Sequence, residues 1–195
     1  MTLKNIFLTL LLCTSFMFSV TAQETKWEID KSHSSIIFKA SHFKIATVKG
    51  NFEDFSGTIT AKGEDFSDAT TDIIIKTASI NTNQKDRDAH LRSTDFFNAE
   101  AHPEIRFNNT SFNKVAENEY AVKGDLTING ITKPFEFKGT FKGSFFHPRF
   151  KKTIGVFEFT GAIPRLDYNI GAKYPTAALG GEVEVAISIE MTKAK

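Results

Sequence analysis

Residues 120–145 read YAVKGDLTINGITKPFEFKGTFKGSF, and the fold turns on how this stretch is read. Tyr120, Val122, Gly124, Leu126 and Ile128 alternate with polar residues up to Asn129-Gly130, a dipeptide whose residues accept the left-handed conformation that a two-residue hairpin turn requires. After it, Phe135, Phe137, Phe141 and Phe145 fall two or four residues apart with charged or small residues between them. Side chains two apart on a strand share a face, so this predicts a hairpin with one aromatic side and one wet side. A two-residue turn pairs Ile128 with Ile131. It then sets Val122 against Phe137, Gly124 against Phe135, and Lys123 against Glu136 as an opposite-charge pair. Apolar parity and charge pairing agree on one register.

The same period recurs outward from this hairpin. Ile36, Phe38, Ala40 and His42 share a parity, as do Phe55, Gly57, Ile59 and Ala61; Ile73–Ile80 and the segment from Ile105 and Phe107 read as strands. Phe157, Phe159, Gly161 and Ile163 precede Val183, Val185, Ile187, Ile189 and Met191, which alternate with Glu182, Glu184 and Glu190. About eight strands joined by turns argue for an antiparallel sandwich or closed barrel. Residues 83–102 do not alternate and read as a short helical insert, with Asn83 as a candidate N-cap and Leu91 as a docking residue. A membrane-spanning barrel of similar strand count is disfavoured, because it would turn the phenylalanine faces to lipid at mid-strand.

Residues 1–22 carry Lys4, an apolar stretch Ile6–Val20 and a small-residue site at Val20-Thr21-Ala22, so they read as a cleavable signal peptide ahead of one domain over residues 23–195. Cleavage removes the only cysteine, Cys13, and leaves the exported domain with no disulfide. The chain has 24 Lys and Arg against 23 Asp and Glu, and with Lys4 removed the charges balance; this excludes nucleic acid and gives no reason to expect an anionic membrane surface as a partner.

Twenty phenylalanines against three tyrosines and one tryptophan supply apolar area without a buried polar group, either as solid core or as the wall of a cavity. On parity, Phe38, Phe52, Phe107, Phe135, Phe137, Phe157 and Phe159 are candidate wall residues, with Gly124 and Gly139 leaving space between rings. Polar groups at strand ends, His33, His42, Arg87, His90, Arg165 and Asp167, are candidates for a ligand head group; an Arg165 to Asp ion pair closing the barrel mouth is the competing reading. The five histidines show no H-x-H or H-E-x-x-H spacing, and no phosphate loop, dinucleotide fingerprint or nucleophile elbow is present, so neither a metal nor a cofactor is expected. Asp30, Ser32 and His33 hold the residue types of a hydrolase triad, but at this spacing they fit a turn.

Several blocks together resemble the YceI-like family of exported polyisoprenoid-binding proteins. They are Trp27-x-Ile29-Asp30-x-Ser32-His33-Ser34, His42-Phe43, Val48-x-Gly50-x-Phe52 and Ser79-Ile80-x-Thr82. Arg87-Asp88-x-His90-Leu91-Arg92-Ser93-x-Asp95-Phe96-Phe97, His102-Pro103-x-Ile105-x-Phe107, Gly124-x-Leu126-Thr127-Ile128-x-Gly130-Ile131-Thr132-Lys133-Pro134 and Arg165-x-Asp167-Tyr168 continue the match. The resemblance implies an all-β, lipocalin-like antiparallel eight-stranded barrel with a helical insert. It also implies noncatalytic binding, storage or transport of a polyisoprenoid or other long-chain lipid in the lumen. A periplasmic location is implied, with release from the cell as the alternative, leaving room for transient membrane contact and for a homodimer. The rival is an exported enzyme acting on a small apolar substrate through His33, His90, Arg165 and Asp167. The chain departs from the family pattern at Tyr168-Asn169, where Phe-Gly is usual, and at Thr140–Thr153, read as a loop that alters the cavity mouth.

Overall fold

A computed structural model describes residues 24–63 and 65–194; the expected signal peptide lies outside the described residues. The strands are β1 (Thr25–Ile29), β2 (Ser35–His42), β3 (Ala46–Phe52), β4 (Phe55–Ala61), β5 (Thr70–Lys76), β6 (Ile80–Asn81), β7 (Glu104–Ala116), β8 (Glu119–Ile128), β9 (Ile131–His147), β10 (Lys152–Pro164) and β11 (Leu179–Lys193), with one helix, α1 (Lys85–Arg92). Eight of them, β1-β4-β5-β7-β8-β9-β10-β11, close on themselves through β1–β11 pairing into an antiparallel barrel. Closure removes the free sheet edges that an open sheet must protect. Asp30 accepts from the Ser32 N–H at 2.9 Å and caps a 3₁₀ turn at Lys31–His33, which bends the chain from β1 into β2. Beyond that bend β2 pairs with the upper half of β11, and β3 and β6 extend the wall.

The central hairpin has the register that the sequence dictates. Ile128 faces Ile131, Val122 faces Phe137, Gly124 faces Phe135, and Lys123 lies 3.3 Å from Glu136. Asn129 and Gly130 take φ of 51° and 73°, the left-handed pair of a type I′ turn. The β2–β3 connection has three residues between the paired His42 and Ala46, and the first two, Phe43 and Lys44, take φ 51° and 60°, where neither residue is favoured.

Two expectations change in the β9–β10 region. Thr140–Thr153 is not a loop at the cavity mouth: it is the paired distal end of a long hairpin, with His147 opposite Lys152. The aromatic face also stops at Phe141. Phe157 pairs with Phe141 and Val156 with Gly143, so Lys142 is an extra residue. Such a bulge reverses the facing of the residues beyond it and turns Phe145 outward, where it is 62 % exposed.

In the insert, Gln84 rather than Asn83 caps α1, accepting from the Arg87 N–H at 2.5 Å. Asn83 instead takes φ 59° just before the helix. Strand β5 ends at Lys76, and a 3₁₀ turn at Thr77–Ser79 leads into β6.

Candidate functional site

The barrel interior divides into a packed floor and a hollow upper half. In the floor, Phe66 descends from the β4–β5 connection, 1 % exposed, and its ring meets those of Trp27, Phe141 and Phe157 at 5.6, 5.0 and 5.1 Å between centroids. Phe157 also packs on Phe112 and Tyr120, each at 5.5 Å, and Tyr120 donates its hydroxyl to the Asp65 carbonyl at 2.6 Å, which pins the plug-bearing loop. Edge and tilted contacts among rings fill space densely.

Above this floor lies a cavity of about 170 Å³. Its walls are inward positions of the strands: Ile36, Phe38 and Ala40 on β2, Ile73 and Ile75 on β5, Val122, Leu126 and Ile128 on β8, and Val183, Val185, Ile187 and Ile189 on β11. Leu91, Phe96 and Phe97 from the insert cover it, and the only lining residues with polar side chains are Thr71, Arg106 and Arg165. An apolar cavity of roughly 150 Å³ admits a benzene-sized molecule. The space as it stands takes a ring or a few chain carbons, and a longer chain must run along the barrel axis by displacing wall and cover side chains.

Of the seven phenylalanines assigned to the wall from parity, Phe38, Phe52, Phe107, Phe137 and Phe159 line this cavity. Phe157 is fully buried in the floor. Phe135 points inward but rests over Gly161 and against Phe137, 4.7 Å between ring centroids, outside the lining. The glycines do not supply the void. A Cβ on Gly124 would lie 2.4 Å from the Asn108 carbonyl oxygen and 2.7 Å from the Phe107 ring, and one on Gly139 would lie 3.0 Å from the Phe159 ring, so Gly124 admits the β7 backbone with a ring and Gly139 seats an aromatic. The hollow comes from aliphatic side chains on β2, β5, β8 and β11. Their alternation is present in the sequence, but alternation alone does not tell a filled interior from a hollow one.

The polar candidates do not form one site. Arg165 is 1 % exposed and makes no ion pair with Asp167. Its Nε donates to the Gly180 carbonyl at 2.8 Å, Nη1 to Ile170 and Gly171 at 3.0 and 2.7 Å, and Nη2 to Tyr174 and Leu179 at 2.7 and 2.9 Å. All five guanidinium N–H groups are thereby used. Burial lowers the pKa of this group, and the carbonyl dipoles stand in for a carboxylate. Arg165 thus gathers residues 170–180 over the cavity end. Asp167 is exposed and lies 3.3 Å from Lys133. Neighbouring Asn169 holds φ 55°, a left-handed position that glycine or asparagine accepts, which accounts for asparagine standing where glycine is usual.

Arg87 binds the insert to itself, donating from Nε to the Thr82 hydroxyl at 2.7 Å and from Nη2 to the Thr82 carbonyl at 2.9 Å, while Asp88 accepts from Thr82. His90 lies 3.1 Å from Asp95 and 3.3 Å from the Tyr174 hydroxyl, and Lys173 also pairs with Asp95. This network latches the insert to the 170–179 segment, and Lys173 first, then His90, lowers the Asp95 pKa. His42 is exposed with its ring against Phe43, 4.2 Å between centroids. His33 sits outside the barrel with Asp30 at 3.1 Å and Glu190 at 3.7 Å. Sequence spacing missed this set, because Glu190 comes from the far end of the chain. Asp30, His33 and Glu190 are the one cluster of metal-ligand type among the described residues.

At the cavity end, Phe43 and Ile45 are 58 % and 91 % exposed, and the Phe43 N–H donates to Ala178 at 2.9 Å beside the lining residue Leu179. Among the described residues no helix is long and apolar enough to cross a membrane.

Comparison with known proteins matches this architecture to a family. The chain is 36% identical over 177 residues to a UPF0312 protein of Photorhabdus laumondii, covering 91% of this chain and 90% of that one. The crystal structure of BcnA from Burkholderia cenocepacia superposes with a TM-score of 0.75 at 20% identity, over 83% of this chain and 98% of that one. A polyisoprenoid binding domain from Saccharophagus degradans, implicated in plant cell wall breakdown, gives a TM-score of 0.65 at 14% identity, over 87% and 98% of the two chains. The model of the YceI-like domain matches residues 27–191, from the floor tryptophan to the floor methionine, and the chain belongs to that family.

Proposed function

We propose that this protein binds and carries one long apolar lipid chain, a polyisoprenoid or similar amphiphile, in the upper barrel without converting it chemically, and that it does so in the periplasm. One observation carries the reading: the upper half of a closed barrel is hollow and apolar while its lower half is solidly packed, so the hollow is a feature of the sequence and not of loose packing. That a domain of the same fold is described as polyisoprenoid binding supports the ligand class. Each methylene withdrawn from water contributes about 0.8 kcal/mol, so a chain of about 15 carbons gains on the order of 12 kcal/mol gross against water. Against a bilayer most of that gain cancels. Cavity fit and contacts at the rim then set whether lipid is extracted. The enzyme reading finds no support in the geometry: His33 lies outside the barrel, Asp167 is held by Lys133, and His90 and Arg165 meet only through opposite ends of Tyr174, the hydroxyl and the carbonyl.

Native mass spectrometry of protein from its own host, with organic extraction of the molecules it releases, tests this directly. The expected result is a bound lipid of long hydrocarbon chain, saturable uptake of a labelled polyisoprenoid, and a thermal midpoint that rises with ligand. Absence of bound lipid together with absence of uptake overturns the proposal. Cell fractionation tests the location, and recovery in the cytoplasm overturns that part.

A further inference from the structure

The end of the β9–β10 hairpin holds three of the large exposed apolar side chains among the described residues, against the two, Phe43 and Ile45, at the β2–β3 turn. Pairing between β10 and β11 ends at Ile154 and Thr192, while β9 and β10 remain paired to His147 and Lys152, so the tip projects beyond the barrel. It carries Phe145, Phe146 and Phe150 at 62, 58 and 62 % exposure, three large rings grouped about His147, which lies 6.2 Å from Phe145 and 4.5 Å from Phe150 between centroids. The bulge at Lys142 turns Phe145 out of the core, and the chain continues through Pro148. Exposed aromatic patches on this scale mark interaction surfaces.

The charge along the hairpin's own sequence selects the partner. No Asp or Glu occurs between Glu136 and Glu158, while Lys138, Lys142, Arg149, Lys151 and Lys152 fall in that interval. Of these, only Lys142 is in a salt bridge among the described residues, at 3.3 Å from Glu158. Arg149 lies over the Phe150 ring at 5.6 Å from its centroid, which places cation and ring on one face. A second copy meeting this tip across a two-fold axis would set like charges together. An anionic bilayer satisfies both parts at once: rings enter the boundary between head groups and acyl chains, and cations meet the phosphates.

We propose that the β9–β10 tip, through Phe145, Phe146 and Phe150 with Arg149, Lys151 and Lys152, docks the protein on an anionic lipid surface. The net charge of only +1 over the whole chain conceals this local excess. The aromatic floor stands between the tip and the cavity, so docking here leaves the cavity end facing away from the bilayer. This surface is independent of what the cavity holds.

Flotation of protein from an exporting host with phosphatidylglycerol-containing vesicles, against pure phosphatidylcholine vesicles, tests the proposal. At least tenfold preference for the anionic vesicles is expected, falling as salt rises, since each cation near such a surface is worth roughly fivefold in affinity. Joint reversal by Arg149→Glu, Lys151→Glu and Lys152→Glu should remove the preference, and joint Phe145→Ser, Phe146→Ser and Phe150→Ser should weaken binding at least tenfold. Phe150→Trp should be quenched by brominated lipid in otherwise intact protein, while buried Trp27 is not. Equal binding to both vesicle types, undiminished binding by both sets of variants, or an unquenched Trp at position 150 overturns the proposal. So does a dimer in ultracentrifugation that the serine variants dissolve, or tight binding of an oligonucleotide by the same tip.

Discussion

The floor and the upper half of this barrel are built from the same strands and share the same inward alternation, yet one is solid and the other hollow. The difference lies in which side chains meet. In the floor, rings of Trp27, Phe66, Phe112, Tyr120, Phe141 and Phe157 from separate strands and one plug loop meet within about 5–6 Å of one another. Above, Val183, Val185 and Ile187 face Ile73, Ile75 and Val122, and these shorter aliphatics do not span an eight-stranded interior. Dense packing and open volume are thus assigned to opposite ends of one sheet.

The largest effect is expected from a cut into the floor. Phe157→Ala removes a fully buried ring that five others touch, and a loss of about 3–5 kcal/mol in unfolding free energy is expected by denaturant titration. In the hollow half the expectation inverts. Val185→Phe adds volume where there is room, so stability should change by less than about 1 kcal/mol while uptake of labelled polyisoprenoid falls at least tenfold. A loss of stability like that of Phe157→Ala would mean that the upper half is packed after all.

At the rim, replacing Phe43-Lys44 by Asn-Gly gives the β2–β3 turn the residues its backbone conformation prefers, as the Asn129-Gly130 turn already has. A gain of about 1 kcal/mol is expected, read as a higher thermal midpoint. The smallest effect sits where floor and cavity meet, since Glu190 lies between the wall residue Ile189 and the floor residue Met191. The hydrogen bond to Asp30, then the charge of Glu190, raises the His33 pKa above its ordinary 6.5. Its contribution to stability is therefore complete below that value and lost as pH rises through the folded pKa. Between about pH 5.5 and 8.5 the thermal midpoint of the wild type should fall slightly relative to that of His33→Gln; equal pH profiles would show that the pair contributes nothing.

Much of the fold was readable one strand at a time. The register from Tyr120 to Phe137 follows from a turn dipeptide and alternating faces, and both are local. Phe145 shows where that reading stops: one extra residue at Lys142 reversed its facing, and a bulge leaves no clear mark in alternation. Arg165 shows a second limit. Its five acceptors are main-chain carbonyls of residues 170–180, which no residue type advertises, so an acidic partner was the natural expectation. His33 and Glu190 lie 157 positions apart and meet only because β1 and β2 both run along β11.

Side-chain period and turn conformation depend on near neighbours alone, so the strands, the central hairpin with its register, and the family were all set by the order of residues. Closure of the sheet was needed to decide that five of seven phenylalanines line a cavity while one lies in the floor and one rests on the inner face over Gly161, and that Arg165 binds main-chain carbonyls at the cavity end instead of an acidic side chain. It also left a patch of rings and cations standing clear of the barrel. Those outcomes depend on which faces meet across the interior and how far each strand outruns its neighbours, and neither is defined until distant strands pair.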